Sequence, residues 1–121
     1  SFDFMRRSGA TTLWENWNGE ASHSHPMFGA STEFLFGEIL GIKQEKDSVR
    51  YDKIIISPVF PDCLTFARGK ITTPHGEIAV AWKRCEKKIK IFIDLCDGIN
   101  AVFISDCKKI PLSTGTNKLV L

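Results

Sequence analysis

Apolar and polar residues alternate strictly over two neighbouring stretches of the chain. Between positions 77 and 83, Ile78, Val80 and Trp82 fall on one face and Glu77, Ala79, Ala81 and Lys83 on the other, and Ile89, Ile91, Ile93 and Leu95 repeat the pattern. A period of two is that of a half-buried strand, because successive side chains leave a pleated backbone on opposite sides. Pro74, His75 and Gly76 predict a tight turn ahead of the first stretch. Further short segments rich in β-branched and aromatic residues, at 53–57, 64–72, 101–105, 108–112 and 118–121, bring the expected strands to seven. Their lengths and short connections predict an antiparallel β-sandwich with Ile78, Val80, Trp82, Ile89, Ile91 and Ile93 buried.

The first 42 residues follow a different rule. Ser24, His25 and Pro26 read as a helix start, since proline suits the first turn and forces the preceding residue out of helical geometry. From 27 to 40 the apolar Phe28, Phe34, Leu35, Phe36, Ile39 and Leu40 cover most of the circumference, and Gly41 supplies a C-terminal stop. A helix apolar on nearly every side belongs inside a larger body. Alone, it predicts either a dimer or a helix folded back on the sandwich. The polar residues 43–47 mark the boundary, giving units 1–42 and 43–121.

Composition narrows the picture. The chain has 121 residues, 43% of them hydrophobic and 25% charged, enough for one core and far from a disordered composition. Its net charge of +2 is spread along the sequence. The one basic cluster, Lys83, Arg84, Lys87, Lys88 and Lys90, reads as a solvated hairpin end rather than a phosphate-binding patch, so nucleic acid is not an expected partner. No apolar run has the length of a membrane span, and no signal-peptide order opens the chain. It begins at Ser1 without methionine and reads as a piece of something longer. Cys63, Cys85, Cys96 and Cys107 are too widely spaced for a zinc site and read as free thiols, leaving the compartment open. Cys85 and Cys96 would sit at different heights of one hairpin, too far apart to bridge.

The passage GATTLWENWNGEASHSHPMFG, residues 9–29, is the one with chemical content. It sets a carboxylate between two tryptophans and a histidine pair before a helix. Sugar sites need such materials: carboxylates for acid and base work, aromatic rings for the C–H faces and polar donors for hydroxyls. Glu15 is the candidate general base. Trp14 and Trp17, three apart, also fit a core. His23 and His25 lack a third ligand for a metal and read as hydrogen-bonding or surface groups, and His75 has no assigned role. No cofactor or metal is expected.

GATTLWENW, the His25 to Gly29 spacing, the phenylalanine-rich helix ending LGI, KIIISPVF and ARGKITTPHGEIAVAW together resemble the C-terminal end of bacterial α-L-rhamnosidases. The resemblance covers about residues 8–84 in order and spacing. It implies a mainly β fold: a C-terminal antiparallel β-sandwich preceded by a loop and one helix left from an (α/α)6 catalytic barrel. It also implies hydrolysis of terminal α-L-rhamnosides with inversion, Glu15 as the base that activates water, and Trp14 and His25 against the sugar. The partners implied are a rhamnoside substrate and the remainder of the barrel, which would supply the general acid that nothing in residues 1–121 matches. The fragment itself is expected to be inactive.

Asn16, Asn18 and the Ser24, His25, Pro26 triplet depart from the Arg, Asp and Asn-His-Tyr frequent in the family, which bears on sugar specificity. Beyond residue 84 the match is generic. A rival reading is a non-catalytic carbohydrate-binding or structural β-sandwich. Exposed aromatic residues on one face would favour it, and Trp82 falls in the buried phase.

Overall fold

In the computed structural model, which describes residues 2–106 and 108–121 and only the backbone of Phe28, the chain divides into two compact units. One ends at Phe34 and the other is Leu35–Leu121.

The second unit is a two-sheet sandwich. Eight strands form it: β1 (Ile42–Gln44), β2 (Lys53–Ile56), β3 (Phe66–Thr73), β4 (Gly76–Cys85), β5 (Lys88–Leu95), β6 (Asn100–Ser105), β7 (Lys108–Leu112) and β8 (Gly115–Val120). One sheet has the order β1-β2-β6-β7 and the other β3-β4-β5-β8. All pairings are antiparallel except β2–β6, which runs parallel with Lys53 opposite Asn100 and Ile56 opposite Phe103. A parallel pair needs a long crossover, and here β3, β4 and β5 of the other sheet supply it.

The alternation in β4 and β5 does what its period requires. Ile78, Val80, Trp82, Ile91 and Ile93 are each at most 1% exposed and meet Ile54, Ile56 and Phe103 from the facing sheet in one core. Ile89, expected with them, is only half-buried because it lies one step from the hairpin end, where Cys85 opposes Lys88. Arg84, in phase with Trp82, also points inward. Its Nη2 donates to the Phe60 carbonyl at 3.0 Å and lies 3.6 Å from Asp62, so it closes the end of the sandwich rather than joining a solvated basic cluster. Cys85 and Cys96 lie at opposite ends of the β4–β5 hairpin. Cys63, Cys85 and Cys96 are free thiols, and Cys107 lies outside the described residues.

The expected helix over 27–40 is broken into three. A 3-10 turn (Pro26–Gly29), a five-residue α-helix (Ala30–Phe34) and a π-turn (Leu35–Ile39) follow one another. Gly29 and Gly37 weaken helical order here, and the Leu40 N–H reaches five residues back to the Leu35 carbonyl at 3.0 Å. Its last residues serve the sandwich. Ile39 and Leu40 are 5% exposed in the sandwich core, with Phe36 packed beside them. Gly41 ends the turn with φ +73°.

Between β1 and β2, Arg50 and Tyr51 adopt left-handed backbone at φ 57° and 68°. A polar clasp holds them there: the Tyr51 N–H donates to Gln44 Oε1 at 3.1 Å, and the Val49 N–H and Ser48 hydroxyl donate to Asp52 Oδ1 at 2.6 and 3.0 Å. The Val49 N–H, with Ser48 and the Lys53 charge, holds the Asp52 carboxyl below the usual carboxylate range despite an opposing effect of burial.

Candidate functional site

The first unit opens with a short helix, Phe2–Arg7, not anticipated from the sequence, whose Asp3 pairs with Arg6 and Arg7 at 2.8 Å each. The candidate residues follow it in a loop with two limbs. The Glu15 N–H donates to the Ser22 carbonyl at 2.8 Å and the His25 N–H to the Leu13 carbonyl at 2.6 Å.

One residue lies between Leu13 and Glu15, but two lie between Ser22 and His25. The second limb therefore carries one extra residue, the count of a β-bulge, and a bulge re-aims the side chains around it. In a regular extended limb His23 and His25 would share a side. Here they reach consecutive residues of the first limb instead. His23 stacks on Trp14 with ring centroids 4.7 Å apart and planes at 19°, while His25 Nδ1 lies 3.8 Å from Glu15 Oε2.

Each half of this arrangement has its own support. The Trp14 and His23 rings close over Gly19, whose φ is +77° and where a Cβ would come within 3.1 Å of Trp14 Cζ3. His23 Nε2 lies 2.7 Å from the Gly19 carbonyl. A carbonyl only accepts, so Nε2 carries the proton. The Thr12 hydroxyl donates to the His23 carbonyl. Asn18 folds the tip by donating to Glu20 Oε2 at 2.8 Å and accepting from the Glu20 N–H at 3.1 Å.

Glu15 stays open. Its side chain is 46% exposed, and the Ser22 N–H approaches it at 3.4 Å, so the carboxylate keeps lone pairs for water or a hydroxyl. His25 occupies the cap position before Pro26 without a side-chain capping bond, and its ring is 28% exposed beside Glu15. The structure thus brings Trp14, Glu15 and His25 into one loop and adds His23, read from the sequence as a surface or hydrogen-bonding group. Trp17 is not core: it is 50% exposed and meets Phe2 edge-on at 5.7 Å. Among the described residues no three His, Cys, Asp or Glu side chains gather for a metal.

Comparison with known proteins places this loop and the sandwich in a family. Residues 41–103 match the model of the bacterial α-L-rhamnosidase C-terminal domain, and residues 1–39 match that of the bacterial α-L-rhamnosidase 6 hairpin glycosidase domain. The chain belongs to the bacterial α-L-rhamnosidase family. An α-L-rhamnosidase of Alteromonas sp. (strain LOR) is 31% identical over 115 residues, covering 86% of this chain and 12% of that protein. One from Formosa agariphila is 28% identical over 99 residues, covering 76% of this chain and 10% of its own length. This chain therefore spans about a tenth of the length of these relatives.

Solved structures agree on the fold. The α-L-rhamnosidase of Streptomyces avermitilis, complexed with L-rhamnose, superimposes with a TM-score of 0.74 at 17% identity, over all of this chain and 15% of that one. The native enzyme of Aspergillus terreus gives 0.75 at 20% identity, over all of this chain and 16% of that one.

Proposed function

We propose that this chain is a C-terminal portion of an α-L-rhamnosidase that hydrolyses terminal α-L-rhamnosides with inversion, in which Glu15 is the general base. Residues 1–42 are then the end of the catalytic barrel and 43–121 the sandwich that follows it. The observation that carries this reading is the open carboxylate of Glu15 between Trp14 and His25 on a loop built to aim them. An inverting enzyme places a water between its base and the anomeric carbon, with base and acid about 6.5–9.5 Å apart. Glu15 would take the proton from that water as its oxygen attacks C1. The leaving oxygen would receive a proton from an acid contributed by the rest of the barrel.

Trp14 and His25 are proposed to line the rhamnose pocket, Trp14 with its indole face and His25 as a hydrogen-bonding partner to a hydroxyl. The chain alone lacks the acid and the rest of the barrel, and is proposed to be inactive. Two measurements test this. Proton NMR of an aryl α-L-rhamnoside turned over by the full-length parent should show β-L-rhamnose first, and α-L-rhamnose as first product would contradict inversion. The 121-residue chain should show no hydrolysis of the same substrate, and measurable turnover would contradict its inactivity.

A further inference from the structure

The outward face of the β3-β4-β5-β8 sheet is built unlike an ordinary solvated face. Midway along the inner strand β4, between Glu77 and Lys83, the outward positions are Ala79 and Ala81 where the flanking strands carry longer side chains, leaving a floor one methyl high. Phe66 and Phe92 stand beside it, 60% and 41% exposed. Both lie in register with the floor strand, Phe66 opposite Lys83 and Phe92 opposite Ala81. Two hollows of about 400 and 480 Å³ adjoin on this floor at the row of Arg68, Ala81 and Phe92, which lines both, and together they mark a trough along β4.

Its rim is cationic. Arg68, Lys70, Lys83, Lys90 and Lys118 are all exposed on this face, against the carboxylates Glu77 and Asp94. Glu77 is already held by Lys70 at 2.6 Å, and Asp94 accepts from the Thr116 hydroxyl. Arg68, Lys83, Lys90 and Lys118 form no ion pair with a described residue, so this face concentrates more positive charge than the +2 of the whole chain.

We propose that this trough binds an extended anionic glycan, a polyuronate in chemical class. Sugar rings lie over Ala79 and Ala81 with their C–H faces against Phe66 and Phe92, and their carboxylates meet Arg68, Lys83 and Lys90. The charge selects the occupant. A second copy of the chain would bring like charge to like charge, which opposes pairing. A shallow floor flanked by two exposed rings suits flat rings with apolar faces, and guanidinium and ammonium groups suit carboxylates. The inference uses the family's dealings with glycans but not the role of Glu15, so either can fail without the other.

Affinity electrophoresis of the 121-residue chain through gels containing polygalacturonate, dextran or polyglutamate tests it. Retardation is expected with polygalacturonate and not with dextran, weakening as salt screens the rim. The Arg68→Glu/Lys90→Glu pair should weaken binding about tenfold or more, and Phe92→Ala about fivefold. Lys108→Glu/Lys109→Glu, with the same charge change on exposed β7 positions of the other sheet, should bind nearly as the parent chain does. Circular dichroism of each variant confirms folding. Equal loss in the two double variants, no effect of Phe92→Ala, equal retardation by polyglutamate, or no retardation by polygalacturonate would overturn the proposal.

Discussion

The Trp82 indole N–H donates to the Ile39 carbonyl at 2.8 Å, across 43 residues of sequence, and so ties the end of the π-turn to the middle of the sandwich. The last carbonyls of a helical segment have no partner within it, and a buried one without a partner is costly. Trp82 supplies that partner while its ring fills the core and meets Phe60 edge-on at 5.2 Å.

Trp82→Phe keeps an aromatic ring but removes the donor and part of the volume. It should destabilise the chain by about 2–4 kcal/mol, combining an orphaned carbonyl with a small cavity. Urea denaturation measures this through the shift in midpoint, and a loss below about 0.5 kcal/mol would show that the bond contributes little.

Gly41 follows the π-turn and runs directly against the backbone at Ser57 and Pro58. A Cβ there would lie 2.2 Å from the Pro58 nitrogen and the Ser57 carbonyl carbon, both backbone atoms that cannot swing aside. Gly41→Ala should cost about 3 kcal/mol or more, with steric and conformational penalties acting together. Gly115 shares a left-handed backbone, φ +84°, but has open space around it, so Gly115→Ala should cost only about 1 kcal/mol. Thermal or urea unfolding of the two variants should reproduce that order, and equal losses would contradict it.

Asp52 should make stability depend on acidity. Its folded carboxyl titrates below its unfolded one, so the stabilisation is present above the unfolded value and disappears as pH falls through the folded value. Asp52→Asn should therefore be less stable than the unmodified chain near pH 7, with the gap closing below about pH 4. Denaturation midpoints of both proteins across that range give the answer. A gap that persists unchanged into acid would assign the effect to shape rather than charge.

The core of the sandwich was legible because β4 and β5 carry an uninterrupted period of two from Ile78 to Trp82 and from Ile89 to Leu95. β1 escaped notice because three residues, two of them Lys43 and Gln44, carry no period. The parallel β2–β6 pairing was hidden for another reason: it depends on a return through the other sheet, and strand sequence does not record which neighbour a strand will find. Phe66 and Phe92 sit in the polar phase of their strands, and the same alternation that buries Trp82 leaves both exposed. In the candidate site, Glu15, Trp14 and His25 stood out by residue type and family pattern. The stack of His23 on Trp14 did not, because it depends on one extra residue in the Ser22 to His25 limb.

The role of Glu15 is the central claim, and Glu15→Gln in the full-length parent tests it most directly. The amide keeps the size and hydrogen-bonding reach of the carboxylate, so the loop of Trp14, His23 and His25 should stay folded, while the ability to take a proton from water is removed. General-base catalysis is commonly worth about a hundredfold to ten-thousandfold, so kcat on an aryl α-L-rhamnoside should fall by at least about a hundredfold with the unfolding midpoint unchanged. Turnover close to the original rate would contradict the account and leave the WENW segment as a packing motif.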